Sequence, residues 1–373
     1  MHRVLLLGAG KIGSAAARFL SHSGDYDVVV GDAAEGPLRR LADLPHVKTL
    51  QLDTEQPHLL AEAVARCQSV VSALTYRLNP GVATAAFEAG ASYFDLSEDV
   101  ATSRTVKAIA SDARPGQIFM PQCGLAPGFV AIAAHHLARQ FDKLDQVRLR
   151  VGALPLFPSN EMKYNLTWST DGVINEYGNS CEAVHEGRLI EVLPLEGLEQ
   201  FSLDGVDYEA FNTSGGVGTL CETLQGRVRT LDYKTIRYRG HRELIAFLMQ
   251  GLRLNSRRDL LRDIFEHAVP VTPQDVVLIF CTVTGWVQGR LTQVTDARKI
   301  YHGEFFGEQC SAIQITTAAS LCAVLDLHVA GKLPSQGFVR QEEVALPDFL
   351  ANRFGKCYDR GIKDLKSPLL CGV

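Results

Sequence analysis

Val4-Leu5-Leu6-Leu7-Gly8-Ala9-Gly10-Lys11-Ile12-Gly13-Ser14-Ala15-Ala16 is the stretch on which the fold turns. Four apolar residues without polar alternation suit a strand buried on both faces. Glycines follow at once in G-x-G-x-x-G spacing, and an Ala-rich helical pattern with Phe19 and Leu20 follows them. Each glycine has its own task. Gly8 permits a tight turn, Gly10 lets the backbone approach a pyrophosphate, and Gly13 lets helix and strand lie close. The helix start, with Lys11 and Ile12, then offers unpaired N–H groups and a positive dipole end to phosphates. A Gly-rich turn with no ligand is the plainer alternative. Asp32 argues against it, because it stands about 20 residues on at the end of a second apolar strand. A carboxylate there accepts hydrogen bonds from ribose hydroxyls and repels a 2′-phosphate, so NAD is the expected cofactor. Arg39 and Arg40 either admit NADP or form a solvated helix face.

The alternation continues outward. Val4–Leu7, Val28–Val30, Thr49–Leu52, Ser69–Leu74, Tyr93–Leu96 and Ile118–Met120 read as strands. Between and after them Ser14–Leu20, Leu38–Leu44, His58–Arg66, Val82–Ala89, Val100–Ala113 and Gly128–Arg139 read as helices. This predicts an α/β fold with a doubly wound, parallel Rossmann sheet. Near residue 145 the pattern changes. Val147–Val151, Phe201–Leu203, Asp232–Arg239, Val276–Val287 and Arg290–Thr295 read as strands, several alternating polar with apolar. A second, α+β domain with a mixed or antiparallel sheet follows. Ser311–Ala330 reads as a long helix returning to the first domain. The expected division is 1–128 plus 311–373 for the dinucleotide and 129–310 for the substrate.

Composition narrows the partners. The chain has 373 residues and a formal net charge of -5, with 46% hydrophobic and 21% charged residues. Two domains with ordinary cores fit that length. Mild acidity speaks against nucleic acid and anionic membranes. No apolar run approaches the ~20 residues that span a bilayer. Nine scattered cysteines with no C-x-x-C pair suit neither a disulfide framework nor a zinc site, so no metal is expected. A reduced, cytoplasmic protein is the expectation.

Open α/β sheets bind ligands at the carboxyl ends of their strands. Two such ends are polar: Ser72-Ala73-Leu74-Thr75-Tyr76 and Asp95-Leu96-Ser97-Glu98. Ala73, Leu74 and Asp95 are candidates for the cofactor, and Tyr76, Ser97 and Glu98 for the substrate. Asp95, Ser97 and Glu98 read equally well as helix caps. Asp53 either contacts adenine or caps the next helix. Cys123 and Cys221 lack activating neighbours and read as core residues. Thr213 and Ser214 open a Gly-rich loop able to present N–H groups to an anion.

Against the acidic background, Lys234-Thr235-Ile236-Arg237-Tyr238-Arg239-Gly240-His241-Arg242 is strongly basic. If extended, it places Thr235, Arg237, Arg239 and His241 on one face. Such a face suits a substrate carboxylate, for which guanidinium is a two-point fork. A solvent-exposed strand face is the alternative.

Together, Gly8–Gly13, Val71–Tyr76, Gly124-Leu125-Ala126-Pro127-Gly128, Thr213–Gly216 and Lys234–His241 resemble the saccharopine dehydrogenase-like family, most closely its lysine 6-dehydrogenases. The resemblance covers nearly the whole chain and weakens after about residue 335. It implies NAD(P)-dependent oxidation of an amine carbon of an amino acid, and a second domain that carries a homo-oligomer interface, as a homodimer or larger. In the lysine-type members the ε-amine carbon is oxidised and the aldehyde cyclises to piperideine-6-carboxylate. Arg237 matches the family's carboxylate-binding arginine. Saccharopine-forming and carboxynorspermidine-type condensing enzymes are the alternative within this chemistry, and a dinucleotide-sensing regulator is the alternative outside it. Where saccharopine-forming members tend to carry Asp before the Pro-Gly of the sixth-strand turn, this chain has Ala126.

The substrate amine must lose a proton before hydride leaves its carbon, which calls for a base titrating near neutrality. His241 is the first candidate and Lys234, if buried, the second. Glu98 or Tyr76 would hold the amine or the attacking water, and Arg237 with Arg239 the carboxylate.

Overall fold

The computed structural model describes residues 1–359. Its first half is built of β1 (His2–Leu7), α1 (Lys11–Ser23), β2 (Tyr26–Asp32), α2 (Glu35–Arg39), β3 (Val47–Gln51), α3 (Pro57–Val64), β4 (Ser69–Ser72), α4 (Asn79–Ala89), β5 (Ser92–Asp95), α5 (Val100–Ile109), β6 (Ile118–Met120) and α6 (Phe129–Ala138). The strands form one parallel sheet in the order β3-β2-β1-β4-β5-β6. Val4, Leu5, Leu6 and Leu7 are all 0% exposed, because helices cover both faces of this sheet. The order reverses beside β1, and ligands of such sheets bind at that crevice. The short helix expected at 38–44 lies earlier, at Glu35–Arg39, and 41–46 is turn.

The second sheet takes β7 (Lys143–Pro155), β8 (Cys181–His185), β9 (Arg188–Val192), β10 (Glu199–Leu203), β11 (Val206–Asn212), β12 (Thr230–Tyr238), β13 (Asp275–Val287) and β14 (Arg290–Tyr301). Its path is β10-β11-β12-β7-β13-β14, with β8 joining β12 to β9. Only β12 and β7 run parallel among these pairs, so the sheet is mixed. Four helices belong to this part: α7 (Thr170–Gly178), α8 (Leu220–Leu224), α9 (His241–Ala246) and α10 (Arg258–Ala268). A small hairpin, β15 (Gly303–Phe305) and β16 (Glu308–Cys310), leads into α11 (Ala312–Val329). Then β17 (Gly337–Phe338) extends the first sheet beside β6, and α12 (Leu346–Ala351) follows. Residues 360–373, which the sequence reading grouped with the first domain, lie outside the described residues.

α11 ties the two sheets together. Ser311 caps it reciprocally with Gln314, and the Asp275 carboxylate of β13 accepts from the Ala312 and Ile313 amides. Burial pushes the Asp275 carboxyl up to about 6. By length and composition α11 could cross a membrane, with 18 residues of mean hydropathy 1.5. That corrects the expectation that no segment is long and apolar enough. Here, however, 67% of it is buried in the protein, against α1 and β13, and it contributes Ile313 and Thr317 to the cleft between the sheets.

Candidate active site

The dinucleotide half comes first in the chain. Gly8 has φ +96, and a Cβ on Gly13 would sit 1.8 Å from the Gly8 carbonyl oxygen. A Cβ on Gly10, at the α1 N-cap, would meet nothing within 4 Å. The turn is therefore closed on its inner side and open where a pyrophosphate would lie. Gly13→Ala is expected to weaken dinucleotide binding by about 10–100-fold, the equivalent of about 1–3 kcal/mol of overpacking; titration of NADH fluorescence measures it.

Asp32 is fixed by two amides: its Oδ2 accepts from Ala9 at 2.7 Å and its Oδ1 from Ala34 at 2.8 Å. Beside it, where folds of this kind place the adenosine, lies a cavity lined by Asp32, Leu52, Asp53, Glu55, Leu74 and Arg77. Asp53 turns back to accept from the Glu55 amide at 3.0 Å and does not cap α3, whose N-cap is Gln56. Arg39 pairs along its own helix with Glu35 at 2.8 Å. Lys11 reaches across the cleft to the Leu166 carbonyl at 3.3 Å.

The main cleft has an empty volume of about 1050 Å³ including its open mouth. Ile12, Ala73, Leu74, Tyr76, Glu98 and Ala126 line the side toward the first sheet. Tyr233, Thr235 and Arg237, alternate residues of β12, face them with Trp168, Asp171 and Glu176 of the α7 region. Arg237 is only 3% exposed. Its guanidinium carbon lies 4.9 Å from the centre of the Tyr164 ring and 5.7 Å from that of Tyr177. Its Nε donates to the Tyr177 hydroxyl at 2.8 Å and Nη1 to the Ile236 carbonyl at 2.9 Å. Nη2 stands 3.8 Å from Glu176 Oε2, an ion pair beyond hydrogen-bonding range.

Two carboxyls face this guanidinium with raised proton affinity. Burial pushes Glu176 up to about 8, Arg237 draws it down, and Glu98 pushes it up again. Burial likewise lifts Glu98 to about 7, with Asp99 and Asp95 adding repulsion. Asp171 is balanced from outside the cleft by Arg77 and Arg262, each at 3.8 Å. The glycine loop supports this wall. A Cβ on Gly215 would lie 2.4 Å from the Glu98 carbonyl, and one on Gly216 2.3 Å from the Tyr233 ring.

Several candidates lie elsewhere. β12 ends at Tyr238, Gly240 turns the chain at φ +97, and His241 opens α9 instead of continuing the strand face. His241 is 1% exposed and lies behind Arg237. Its Nδ1 bonds the Met162 carbonyl at 2.8 Å and its Nε2 the Tyr177 hydroxyl at 3.0 Å. Burial and the Arg237 charge push its pKa down to about 3. A neutral ring with both nitrogens engaged is a poor general base, so His241 positions Arg237 through Tyr177. His241→Gln is expected to cost about 1–3 kcal/mol of stability while leaving the pH-rate profile in place; paired melting and kinetic measurements check both.

Lys234 points to the opposite face of β12, where its Nζ meets Glu199 at 2.6 Å beside Arg150 and Asp232. Arg239 lies past the strand end, 61% exposed, 3.9 Å from Asp207. The Asp95 carboxylate is fully buried, accepting from the Ser97 and Gln122 amides and the Tyr93 hydroxyl. Ser97 accepts from the Asp99 amide at 3.3 Å, so both residues serve the turn after β5. Thr213 bonds Thr235 at 2.7 Å, and Ser214 holds α7 through its amide on the Glu176 carbonyl and its hydroxyl on the Asn175 carbonyl. Cys123 and Cys221 are fully buried, which pushes both thiols up.

Sequence reading missed α7, and with it Glu176 and Tyr177. A signal existed: Ser169 caps the helix onto the Gly172 amide, and Val173, Ile174 and Tyr177 share a buried side.

A glycine turn at a helix start, a fixed carboxylate at the second strand end and a cleft at the reversal of strand order define a dinucleotide-binding protein of the NAD(P) type. Residues 4–118 match the saccharopine dehydrogenase NADP binding domain, and residues 124–362 the saccharopine dehydrogenase C-terminal domain. The chain belongs to the saccharopine dehydrogenase family. It is 22% identical to the mitochondrial alpha-aminoadipic semialdehyde synthase of Rattus norvegicus, over 93% of this chain and 39% of that one. It is 23% identical to the L-glutamate-forming saccharopine dehydrogenase [NADP(+)] of Schizosaccharomyces pombe, over 67% of this chain and 57% of that one. It thus spans less than two thirds of the length of either relative. In fold it is similar to the apo L-Glu-forming saccharopine dehydrogenase of Saccharomyces cerevisiae, with TM-score 0.76, 17% identity and 96% of each chain covered. It is also similar to a homospermidine synthase of Legionella pneumophila solved with NAD, with TM-score 0.61, 12% identity and 99% and 96% covered.

Proposed function

We propose that this chain oxidises the distal amine carbon of an amino acid with one carboxylate, with L-lysine as substrate and 6-deamination as the reaction. The observation that carries this reading is the charge of the cleft. Among the described residues the cleft lining holds one guanidinium, Arg237, and three carboxyls, Glu98, Glu176 and Asp171. Asp171 is already paired with Arg77 and Arg262, which leaves Glu98 and Glu176 for a ligand, while Ala126 adds no charge and Arg239 lies outside. A ligand with one carboxylate and an amine matches that set. Saccharopine, with three carboxylates, would leave two without a cation, and an unpaired buried charge is costly.

When bound, the dinucleotide supplies the ring that accepts hydride. Arg237, on the wall away from Ile12, Ala73 and Leu74, anchors the carboxylate and leaves the chain's far end toward the cofactor. Glu98 takes the ammonium proton, Glu176 shares the amine's positive charge, and Tyr76 orders the water that hydrolyses the imine. L-Lysine carrying deuterium at C6 should pass it to the reduced dinucleotide. Transfer from C2 instead would contradict the reading.

NAD is the proposed physiological cofactor. Asp32, Asp53 and Glu55 all line the adenosine cavity, where a 2′-phosphate would meet carboxylates and one guanidinium, Arg77. kcat/KM with NAD should exceed that with NADP about tenfold or more, at least about 1.4 kcal/mol. Parallel steady-state assays decide it.

A further inference from the structure

Behind the cleft lies a second cavity with an empty volume of about 680 Å³ including its mouth. Its lining is polar and includes Asp99, Arg104, Asn175, Ser180, Glu182 and Glu191. Ala101, Arg104, Ser180 and Glu191 are exposed, so this cavity opens to solvent away from the cleft. Glu98 borders both cavities. Its neighbours on α7 part to the two sides, Glu176 toward the cleft and Asn175 toward the second cavity.

The reaction proposed above gives this arrangement a use. The substrate ammonium loses a proton. The C–H bond gives its electron pair and hydrogen to oxidised NAD, water adds to the imine, and nitrogen leaves as ammonium. The sum is amine-bearing ammonium, NAD⁺ and water giving aldehyde, ammonium, NADH and one proton. A base that has taken the proton must lose it before the next turnover, yet a cleft filled by substrate and dinucleotide admits the reacting water and is closed to bulk solvent.

We propose that Glu98 is a two-sided acid–base group: it accepts the proton from the cleft and releases it to solvent through the second cavity. This rests on the amine-dehydrogenase reading. Carboxylates at Asp99, Glu182 and Glu191 line the exit, and Arg104 ties to Glu182 at 2.7 Å across it. On the cleft side Glu98 is faced by Glu176, behind which stands Arg237. The turn before it contributes Asp95, and the glycine loop closes over its backbone at Gly215. Burial raises its proton affinity while its own backbone amide favours its ionised form, which keeps proton exchange near neutrality within reach.

Ser180→Trp and Ala101→Phe fill the exit from two walls at exposed positions outside the cleft. In either variant, assayed well above pH 7 so that Glu98 begins deprotonated, the first turnover should form NADH at the wild-type rate. Steady-state turnover should then fall about tenfold at unchanged KM. NADH titration verifies that the variants are folded. Unchanged steady-state rates in both folded variants would overturn the route, as would a first turnover slowed equally with the rest. A wild-type protein inert toward every amine would overturn the dehydrogenase reading, and the route with it.

Discussion

Glu98→Gln is expected to lower kcat by about 10²–10⁴-fold, the usual range for loss of a general base. The amide keeps the shape and the contact with the Gly215 loop but cannot take a proton. The pH profile is the sharper readout. Burial raises the Glu98 carboxyl to about 7, so the base form is scarce in acid and fills as pH rises. In the wild type kcat/KM should climb through that region and level off above it. In the variant the limb should vanish. Persistence of the same limb would move the role of base to another group, Glu176 being the nearest, with its carboxyl raised to about 8.

Arg237→Met should act on binding first. It removes the one guanidinium among the described residues of the cleft lining but preserves a long side chain between Tyr164 and Tyr177. Loss of a desolvated charge partner for the substrate carboxylate is expected to raise KM about 30–1000-fold, or about 2–4 kcal/mol. kcat should fall as well, because an unanchored substrate no longer presents one carbon to the cofactor. Arg237→Lys should rescue little, since an ammonium cannot form the planar fork. A KM within a few-fold of wild type would place the carboxylate elsewhere.

What was readable in the sequence was local. The turn Gly8–Gly13 carries its own geometry, and the apolar runs of β1, β4, β5 and β6, buried on both faces, announce a parallel sheet whose edge strand β3 is largely exposed. The alternation in β12 puts Tyr233, Thr235 and Arg237 on the cleft side, as residue spacing alone requires. It failed beyond Tyr238 because one glycine at positive φ turns the chain, which carried Arg239 to the surface and His241 into the core. The strand reading also placed Lys234 on the other face from Arg237. Its burial in the Arg150–Glu199–Asp232 network was hidden, since the partners come from β7, β10 and β12 itself. Glu176 was invisible for a similar reason: its proximity to Glu98 and Arg237 is tertiary, and α7 is a nine-residue helix amid long connections.

The central claim is that the cleft accepts one carboxylate and an amine. The most direct test is to give the purified protein NAD with L-lysine and, in parallel, NAD with L-saccharopine, and to follow absorbance of the reduced cofactor. NADH formed with lysine and none with saccharopine is the predicted result. NADH formed with saccharopine, with glutamate released and lysine inert, would contradict the account.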